Sequence, residues 1–496
     1  MVSRATDAVP NIALYNLRDA AGQTQHDVAE ALNALGATHH RGIAVSANQV
    51  SRWERGITHP SGIHRQLLAE HFGVSLEELG LTRPRITSNP GPGNRPREPF
   101  SIDSPPVEHV DKPHVAHSQA EWREVRRLLN LNRVRIARTA AQLYDPDVRV
   151  GGSGLIAHPS WLLPTPLDLD EFRIKLTGLG QPTVTGSEDF SARMRPLADV
   201  GRRYQRYSQA VRDLDHPRLF ENKFAWRLVD IDWADPENAL TFSSSTYFEG
   251  FDVAETLAHE MAAQHLSSDG AKLLPASWRG LNFRRELEDP FTLPRRPATT
   301  STDTLTLRVD RDGATFVLHD RSANRVATAG GMLHIMPAGV FQPSSIMPAA
   351  QATDFDLWHN IMREYSEEFL GNAEHGGDGQ PADYGAEPLS SFGRAKASGG
   401  VRVYCLGVAL DALTLWGELL TVAVYDGPVY DRLFAEMVHS NDEGTIVTTG
   451  TVRPTHAIPF TRHVIDELLD SDRLAPAAAG ILELAWQHRA KILERS

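Results

Sequence analysis

The chain has 496 residues and a formal net charge of −13, with a sequence pI near 5.9. At roughly 100 to 200 residues per domain, this length predicts about three domains and excludes a single small binding module. The acidic balance excludes a surface that is basic all over, so any nucleic-acid contact must be confined to one part of the chain. Hydrophobic residues at 41 % and charged residues at 23 % are typical of a globular protein.

Three features of the sequence bear on its compartment. The single cysteine, Cys405, cannot form an internal disulfide. The first residues lack the basic and apolar regions of a secretory signal peptide. The most apolar segment, 403–425, contains Asp411 and Glu418 and is rich in β-branched residues, so it predicts buried strands and no membrane span. We therefore expect a cytoplasmic protein that does not contact a membrane.

A Pro-rich segment divides the chain. Residues 82–117 contain eight prolines and no apolar periodicity. Proline lacks the backbone donor that a helix or sheet needs, and the segment has too little apolar surface to form a core. It predicts a semi-extended linker between two separate parts of the protein.

Cap signals predict that the part before the linker is all-helical. Thr24 precedes a helix with a regular apolar face, as expected of an N-cap residue. Ser46 with Gln49 three residues later has the pattern of a capping box, and Ser75 with Glu78 repeats it. Several short helices are therefore expected within residues 1–81.

The string QTQHDVA at 23–29, followed by SANQVSRWERG at 46–56, resembles the Xre/Cro-type helix-turn-helix family. The resemblance covers roughly residues 8–81 and implies a bundle of about five helices whose third helix, 46–55, lies in the major groove of operator DNA. Val50 and Trp53 would then face the core of the bundle. The residues expected to contact bases or phosphates are Gln23, Thr24, Ser46, Ala47, Asn48, Gln49, Ser51, Arg52 and Arg55.

This region also departs from the family. Its members usually pass from the second to the third helix in a short turn, whereas residues 36–45 add roughly nine residues here. Between residues 41 and 65 there are four arginines against one glutamate, which forms a local basic face in an acidic protein. A helical bundle that contacts another protein is the alternative to a DNA-binding domain.

After the linker, strands and helices mix in α+β order. The expected elements are a helix or a broken pair of helices at 121–143, strands at 305–309, 315–318 and 332–336, a helix at about 354–370, long strands beginning near 401 and 412, and one or two helices from 460.

The predicted helix at 354–370 carries a cluster of charge. Glu364, Glu367 and Glu368 lie at i, i+3 and i+4, so an α-helix places all three carboxylates on one face. Such a cluster is repulsive unless a cation neutralises it, and Mg²⁺ bridging to diphosphate oxygens requires oxygen ligands of this kind. Arg363 is available to hold one of the carboxylates in place. A solvated acidic helix face is the alternative.

This spacing resembles the core of the Nudix box, written Arg-Glu-apolar-x-Glu-Glu-x-Gly. Pro337-Ala338-Gly339 on the preceding strand also resembles the approach to that box. The resemblance covers roughly residues 220–455. It implies a nucleotide-binding α/β/α sandwich in which Arg363, Glu364, Glu367 and Glu368 contact a nucleotide and the three glutamates bind Mg²⁺.

The box is degenerate in this chain. Its opening glycine and its first glutamate fall, counting back from Arg363, on Ala349 and Phe355. The closing glycine falls on Leu370, with Gly371 one residue later. These departures argue against phosphohydrolase activity and leave binding of a metal-nucleotide as the expectation.

The predicted fold class is a multidomain chain, with an all-α helix-turn-helix bundle followed by an α+β Nudix-like region (an α/β/α sandwich) with extra helices. The expected parts are a DNA-binding domain at 1–81, the linker at 82–117, a helical or mixed connecting region at 118–219, a nucleotide-binding domain at 220–455 and C-terminal helices at 456–496.

The combination of the two resemblances predicts the function. It implies a bacterial transcriptional regulator, associated with the nucleoid when bound to DNA, whose second region senses a nucleotide of the ATP or ADP-ribose class, with or without Mg²⁺. Helix-turn-helix regulators of this type usually bind paired half-sites, so a homodimer or a larger homo-oligomer is expected. Two alternatives are an Mg²⁺-dependent hydrolase of a nucleoside diphosphate derivative that regulates its own gene, and a protein-binding platform without a ligand.

Overall fold

The computed structural model describes residues 11–21, 23–38, 45–54, 60, 62–74, 79, 112–217, 220–234, 238–321, 332–376, 380–438, 444–447 and 457–494. The chain divides into two units, Met1–Pro105 and Pro106–Ser496, and the boundary lies inside the Pro-rich segment. An N-terminal helical region is followed by a large mixed α/β region. No helix in the described ranges is long and apolar enough to cross a lipid bilayer.

In its described part, the first unit is built of helices whose apolar faces meet in one core. The helices are α1 Ile12–Ala20, α2 Gln25–Thr38, α3 Ala47–Glu54 and α4 Gly62–Phe72. The core includes Val28, Leu32, Val50, Trp53 and Leu68, each at most 4 % exposed. The predicted inward orientation of Val50 and Trp53 is confirmed.

Helix α2 continues through residues 36–38, where the sequence predicts an inserted loop. Leu35 packs against the core after Val28 and Leu32, so the apolar face of the helix extends by one more turn. Gly36 is buried inside that turn. The rest of the predicted insertion, residues 39–44, lies outside the described residues, as does the helix predicted from Ser75 and Glu78.

A long helix opens the second unit and corrects the predicted end of the linker. Helix α5 spans Lys112–Leu131, so residues 112–117 are helical. Pro113 is the second residue of this helix, where a missing N–H group costs nothing because no partner is available to it. Helix α6 spans Arg133–Ala141, and the break at Asn132 gives the broken pair that the sequence allows.

The remaining helices and strands of the second unit alternate along the chain. The helices are α7 Tyr207–Leu214, α8 Tyr247–His265, α9 Asn282–Glu286, α10 Pro348–Asp354, α11 Leu357–Glu364, α12 Leu389–Ala397, α13 Gly427–Leu433, α14 Arg462–Leu469, α15 Pro476–Gln487 and α16 Arg489–Ile492. The strands are β1 Leu155–Ile156, β2 Leu162–Asp168, β3 Arg173–Thr177, β4 Leu197–Asp199, β5 Arg202–Arg203, β6 Phe224–Asp232, β7 Ala239–Thr246, β8 Thr300–Val309, β9 Ala314–Phe316, β10 Leu318–Arg321, β11 Leu333–Ile335, β12 Ala338–Val340, β13 Val401–Asp411, β14 Gly417–Asp426, β15 Gly444–Val447 and β16 Ile458–Pro459.

A curled half-barrel sheet forms the centre of the second unit. Its longest strands are β13, β14 and β8, with β14 antiparallel to β13 and parallel to β8. The segment 403–425 thus forms two strands of this sheet, as its β-branched composition predicts. At Gly407 a bulge interrupts β13 where it crosses β2, and a Cβ atom there would lie 2.4 Å from the carbonyl oxygen of Trp161.

The central sheet draws strands from well-separated parts of the chain. Strands β1 and β2 pair with β13, although they belong to the segment predicted as a connecting region. Strand β16 pairs with β9, although it lies in the segment predicted as C-terminal helices. Residues 118–219, 220–455 and 456–496 therefore share one sheet and one core. Strand pairing of this kind is non-local, so a pass along the sequence does not detect it.

The second unit also contains two three-stranded sheets and the two-stranded sheet of β4 and β5. Strand β7 lies between β3 and β6 in the first, with β3 parallel and β6 antiparallel to it. Strand β10 lies between β11 and β15 in the second, and both neighbours are antiparallel to it. Helix α8 follows β7 directly and begins at the N-cap Thr246, whose side chain accepts from the N–H group of Glu249.

Helices α5, α6 and α8 are joined by a buried ion cluster. The carboxylate of Glu255 accepts from Arg126 at 2.8 Å and from Arg133 at 2.7 Å. Arg126 also donates to Asp215 at 2.5 Å. Burial opposes the charge on Arg126, but the neighbouring Tyr207, Glu255 and Asp215 raise its pKa. The cluster therefore holds its charges in a region from which water is excluded.

A neutral histidine lies beside this cluster and predicts acid sensitivity. The Tyr207 hydroxyl and Nδ1 of His259 are hydrogen-bonded at 3.1 Å. Burial, reinforced by the charge on Arg126, lowers the pKa of His259 from 6.5 to about 3. Between these two values the unfolded chain binds a proton that the folded chain does not, so the free energy of unfolding falls as the pH falls. The expected slope from this residue is up to about 1.4 kcal/mol per pH unit.

Urea unfolding at pH 7 and pH 5 measures this effect. We expect His259→Gln to lose stability at both pH values but to show a smaller difference between them than the unmodified chain. His463→Gln changes an exposed histidine on α14 and serves as the control, with an unaltered difference. Equal pH differences in the unmodified chain and His259→Gln would show that His259 does not titrate with unfolding.

Candidate functional site

The predicted recognition helix, α3, is held at its start by a reciprocal cap. The N–H group of Gln49 donates to Oγ of Ser46 at 3.3 Å, and the N–H group of Ser46 donates to Oε1 of Gln49 at 2.9 Å. The capping box predicted from these two residues is therefore present. Asn48 lies beside them, and all three side chains are exposed.

The opposite face of α3 is fixed to α1 and α2 by a buried ion pair. Glu54 is 5 % exposed, and its Oε1 lies 2.5 Å from Nε of Arg18. The side-chain amide of Gln25 donates to Oε2 of the same carboxylate at 2.8 Å. Arg18 and Gln25 thus tie the ends of α1 and α2 to the end of α3. The sequence does not reveal this contact, because Glu54 lies 36 residues from Arg18 and 29 residues from Gln25.

The N-terminus of α2 has a cap of its own. The N–H group of Asp27 donates to Oγ1 of Thr24 at 3.2 Å, and the N–H group of Thr24 donates to Asp27 at 2.7 Å. These hydrogen bonds lower the pKa of Asp27. Thr24 is thus the N-cap residue that its sequence predicts, but Asp27 places a carboxylate at the end of the helix that was expected to bind phosphate.

Gln23, just before α2, is held by residues of α4 and α1. Its side-chain oxygen lies 2.9 Å from Nε2 of His71 at the end of α4, and its carbonyl accepts from Arg18 at 2.8 Å. The side chain of Asn33 makes hydrogen bonds to both the N–H and the carbonyl group of Val45, which ties the start of α3 to the middle of α2. His71 and Asn33 were not recognised in the sequence, since neither lies in a motif.

Six of the nine predicted DNA-contacting residues lie on α3 or at its N-cap. Ser46, Asn48 and Gln49 are exposed, and the remaining α3 candidates are half-buried: Ala47, Ser51 and Arg52. Arg55 lies outside the described residues. A short helix with an exposed polar face of this kind can enter a major groove and present amide and guanidinium groups to base edges.

The acidic motif occupies the end of α11 and the turn that follows. Helix α11 ends at Glu364, and Tyr365–Phe369 continues as a single π-helical turn. Glu368 is buried and accepts from the N–H group of Ala338 at 3.2 Å. Glu367 turns to the following loop and accepts from the N–H group of His375 at 2.9 Å. Because the wider π turn rotates the side chains after Glu364, the three carboxylates do not line up as an α-helix would place them.

Glu364 lies directly against strand β12. A Cβ atom at Gly339 would lie 2.1 Å from the carboxyl carbon of Glu364, so a larger residue there would displace this carboxylate. Burial and the negative charges of Glu364 and Glu374 raise the pKa of Glu367 well above its usual range. A cation bound near this carboxylate would have the opposite effect and favour its charged form.

Arg363 does not hold one of the three glutamates, contrary to the prediction. Its guanidinium pairs with Asp354 at 3.3 Å, and both side chains are buried. Asp354 also accepts from the Tyr384 hydroxyl and from the N–H and hydroxyl groups of Ser344, each at 2.6 Å. Arg363 thus fixes α11 to the end of α10. Its preference for Asp354 follows from the lower cost of burying charges as a pair.

Phe355, at the predicted glutamate position of the box, has a structural role. Its ring lies 5.1 Å from the ring of Trp226 and 5.7 Å from that of Phe341, measured between centroids. In the described ranges, no group of three or more histidine, cysteine, aspartate or glutamate side chains has an arrangement that could hold a metal ion.

Comparison with known proteins identifies the first unit. Residues 14–79 match the helix-turn-helix family, and this span contains α2, α3, α4 and the two capping boxes. No curated protein shows significant similarity to the chain. Residues 14–79 are therefore a helix-turn-helix domain of the Xre/Cro type, and a domain of this type implies a DNA-binding regulator.

Proposed function

We propose that the protein is a bacterial transcriptional regulator whose second unit senses a nucleotide of the ATP or ADP-ribose class and thereby alters operator binding. The helix-turn-helix domain carries the DNA-binding part of this proposal. The observation that carries the sensing part is the contact of Glu364 and Glu368 with strand β12, because it brings two carboxylates of the motif to the strand that precedes it in the chain. We place its activity in the cytoplasm, where a bacterial chromosome lies.

The strand, loop and helix around this site support a Nudix-like fold. Strand β8 pairs antiparallel with β12, and β12 precedes α10 and α11 in the chain. The predicted strands at 305–309 and 332–336 fall within or next to this arrangement. The buried Asp354–Arg363 pair holds the helix in place next to Phe355, the position at which the motif lacks its glutamate.

The acidic site can bind a nucleotide through its phosphates if a divalent cation neutralises the carboxylates. Glu364 and Glu367 are both half-buried, and the raised pKa of Glu367 indicates that negative charge is already costly there. Mg²⁺ accepts carboxylate and phosphate oxygens together. We therefore propose that Glu364 and Glu367, whose charges interact, hold the Mg²⁺ of a nucleotide together with its phosphate oxygens, while Glu368 borders the site from its contact with β12. We propose that this nucleotide binds without hydrolysis.

The regulatory coupling follows from linkage. A nucleotide that binds one arrangement of the protein more tightly than another shifts operator affinity by the ratio of those two binding constants. Because an Xre/Cro-type domain usually reads paired half-sites, we propose that the active form is a homodimer or a larger homo-oligomer.

A thermal-shift measurement on the full-length chain tests the sensing proposal. ATP, ADP, GTP, NAD and ADP-ribose are added with and without Mg²⁺, and the integrity of each nucleotide is followed in the same samples. At a concentration of 100 Kd, a ligand of the native state stabilises it by about 2.7 kcal/mol and raises the melting temperature. We expect this shift with an intact nucleotide of the ATP or ADP-ribose class.

Variants assign the binding to the acidic site. Glu364→Gln and Glu367→Gln should lose the Mg²⁺-dependent shift, whereas Glu467→Gln, an exposed change on α14, should keep it. Stabilisation with breakdown of the nucleotide, abolished by Glu367→Gln, would instead establish the hydrolase. The absence of any shift would contradict the sensing proposal and favour a protein-binding platform.

A further inference from the structure

The side chain of Gln49 has one end committed to the helix cap. The backbone N–H group of Ser46 can only donate, so the atom that faces it at 2.9 Å must be the amide oxygen of Gln49. The Ser46 hydroxyl lies 3.5 Å from the same oxygen. The amide nitrogen is therefore on the side away from the cap, so the outer end of Gln49 presents hydrogen-bond donors.

The cap restricts how Gln49 can meet adenine. A bidentate pair needs the glutamine oxygen to accept from the adenine amino group while the nitrogen donates to N7. In α3 one lone pair of that oxygen already accepts from Ser46. Adenine would have to use the second lone pair, in the one amide orientation that the cap allows.

The position of Gln49 around α3 also separates it from the outward face. With about 100° between successive residues, Asn48 and Arg52 lie together opposite the buried residues Val50 and Trp53. Gln49 lies about a quarter of a turn away from that midline, on the flank of the helix. When a helix lies in a major groove, its flanks face the groove walls, which are the phosphate backbones.

We infer that Gln49 is a positioning residue that clamps α3 to a DNA phosphate through its amide nitrogen, while its oxygen caps the helix. Recognition of bases is then carried by the neighbouring outward face around Asn48. This inference rests on DNA binding by the helix-turn-helix domain. It assigns to Gln49 a contact with the DNA backbone that does not depend on the base sequence.

Two matched changes test the assignment, because each converts an amide to a carboxylate at adjacent positions of α3. The full-length chain and its Gln49→Glu and Asn48→Asp variants are each used to select operators from a random DNA pool. Their affinities for the selected site and for single-base variants of it are then measured. Glutamate at position 49 keeps an oxygen to cap Ser46 but replaces the donor with a negative charge.

We expect Gln49→Glu to lower the affinity about tenfold or more for every site by the same factor, with the selected sequence unchanged. Asn48→Asp should change the preferred base at one position of each half-site. A new base preference in Gln49→Glu, or an affinity equal to that of the unmodified chain, would overturn the inference. If the unmodified chain selects no DNA, the proposed function itself fails. That result differs from the two outcomes that would overturn the inference about Gln49.

Discussion

Changing Glu54 to alanine is expected to abolish operator binding, although Glu54 is buried on the face of α3 that points into the bundle. Its carboxylate is the shared partner of Arg18 and Gln25, and Arg18 is only 12 % exposed. The alanine variant removes the carboxylate that pairs with this guanidinium, and breaking a buried ion pair by removing one partner costs about 3 to 5 kcal/mol. Small domains are stable by about 0.05 to 0.15 kcal/mol per residue, so this loss removes most of the stability of the helix-turn-helix domain.

Amide hydrogen exchange on the full-length chain, together with an operator titration, checks this prediction. Protection should fall in α1, α2 and α3 while that of the second unit is unchanged. Glu30→Ala is the control, since Glu30 is exposed on α2, where it pairs with the equally exposed His26. Retained protection in Glu54→Ala would mean that the ion pair does not stabilise the domain.

A double replacement distinguishes the loss of the Arg18–Glu54 pair from the cost of leaving the Arg18 charge buried. Arg18→Met with Glu54→Leu removes both charges and fills the space with apolar atoms. Because replacing a buried ion pair by apolar residues of similar volume is often neutral or stabilising, we expect the double variant to recover much of the protection that Glu54→Ala loses. Recovery would show that the buried charge of Arg18 causes the loss of stability in Glu54→Ala.

The second large effect is expected at Glu255 in the second unit. Its carboxylate is 2 % exposed and balances both Arg126 and Arg133, which are themselves buried. In Glu255→Ala, Arg126 keeps its pair with Asp215, and Arg133 loses the carboxylate with which it forms an ion pair. We expect a loss of about 3 to 5 kcal/mol in the free energy of unfolding, because an uncompensated buried charge costs that much.

Chemical denaturation followed by tryptophan fluorescence measures this loss, since Trp122 lies beside the cluster. Glu124→Ala removes an Arg–Glu pair on the same helix α5, but both of its side chains are about half exposed. Exposed pairs contribute about 0 to 1 kcal/mol, so this control should unfold almost like the unmodified chain. Equal losses in the two variants would show that burial does not set the strength of the cluster.

The elements that were predicted well depend on contacts between near neighbours in the chain. The two capping patterns at Thr24 and Ser46, and the inward face of Val50 and Trp53, follow from spacings of three or four residues. Helix α2 runs further than expected because Leu35 adds another apolar contact, which outweighs the weak helix propensity of Gly36.

The ligand-site predictions depended on contacts that sequence spacing does not reveal. Arg363 and Glu364 lie on α11, within the predicted helix, whereas Glu367 and Glu368 lie in the π turn that follows α11. The partner of Arg363 is Asp354 at the end of the preceding helix. The π turn at Tyr365–Phe369 then sends Glu367 to the loop and Glu368 to β12. The position of each of these side chains depends on which neighbouring group can pair with or donate to its buried charge.

The amino-acid sequence by itself determined the helix-turn-helix domain, because caps and apolar periodicity act over a single turn of helix. It also determined the Pro-rich boundary and the long β-branched strands of the second unit. Only the tertiary structure decided that residues 118–496 share one sheet, that Glu54 holds α3 through Arg18, and that the Gln49 oxygen is committed to a cap. The physical reason is that strand pairs and buried charges are satisfied by whichever group the fold brings near, and distance along the chain does not limit that choice.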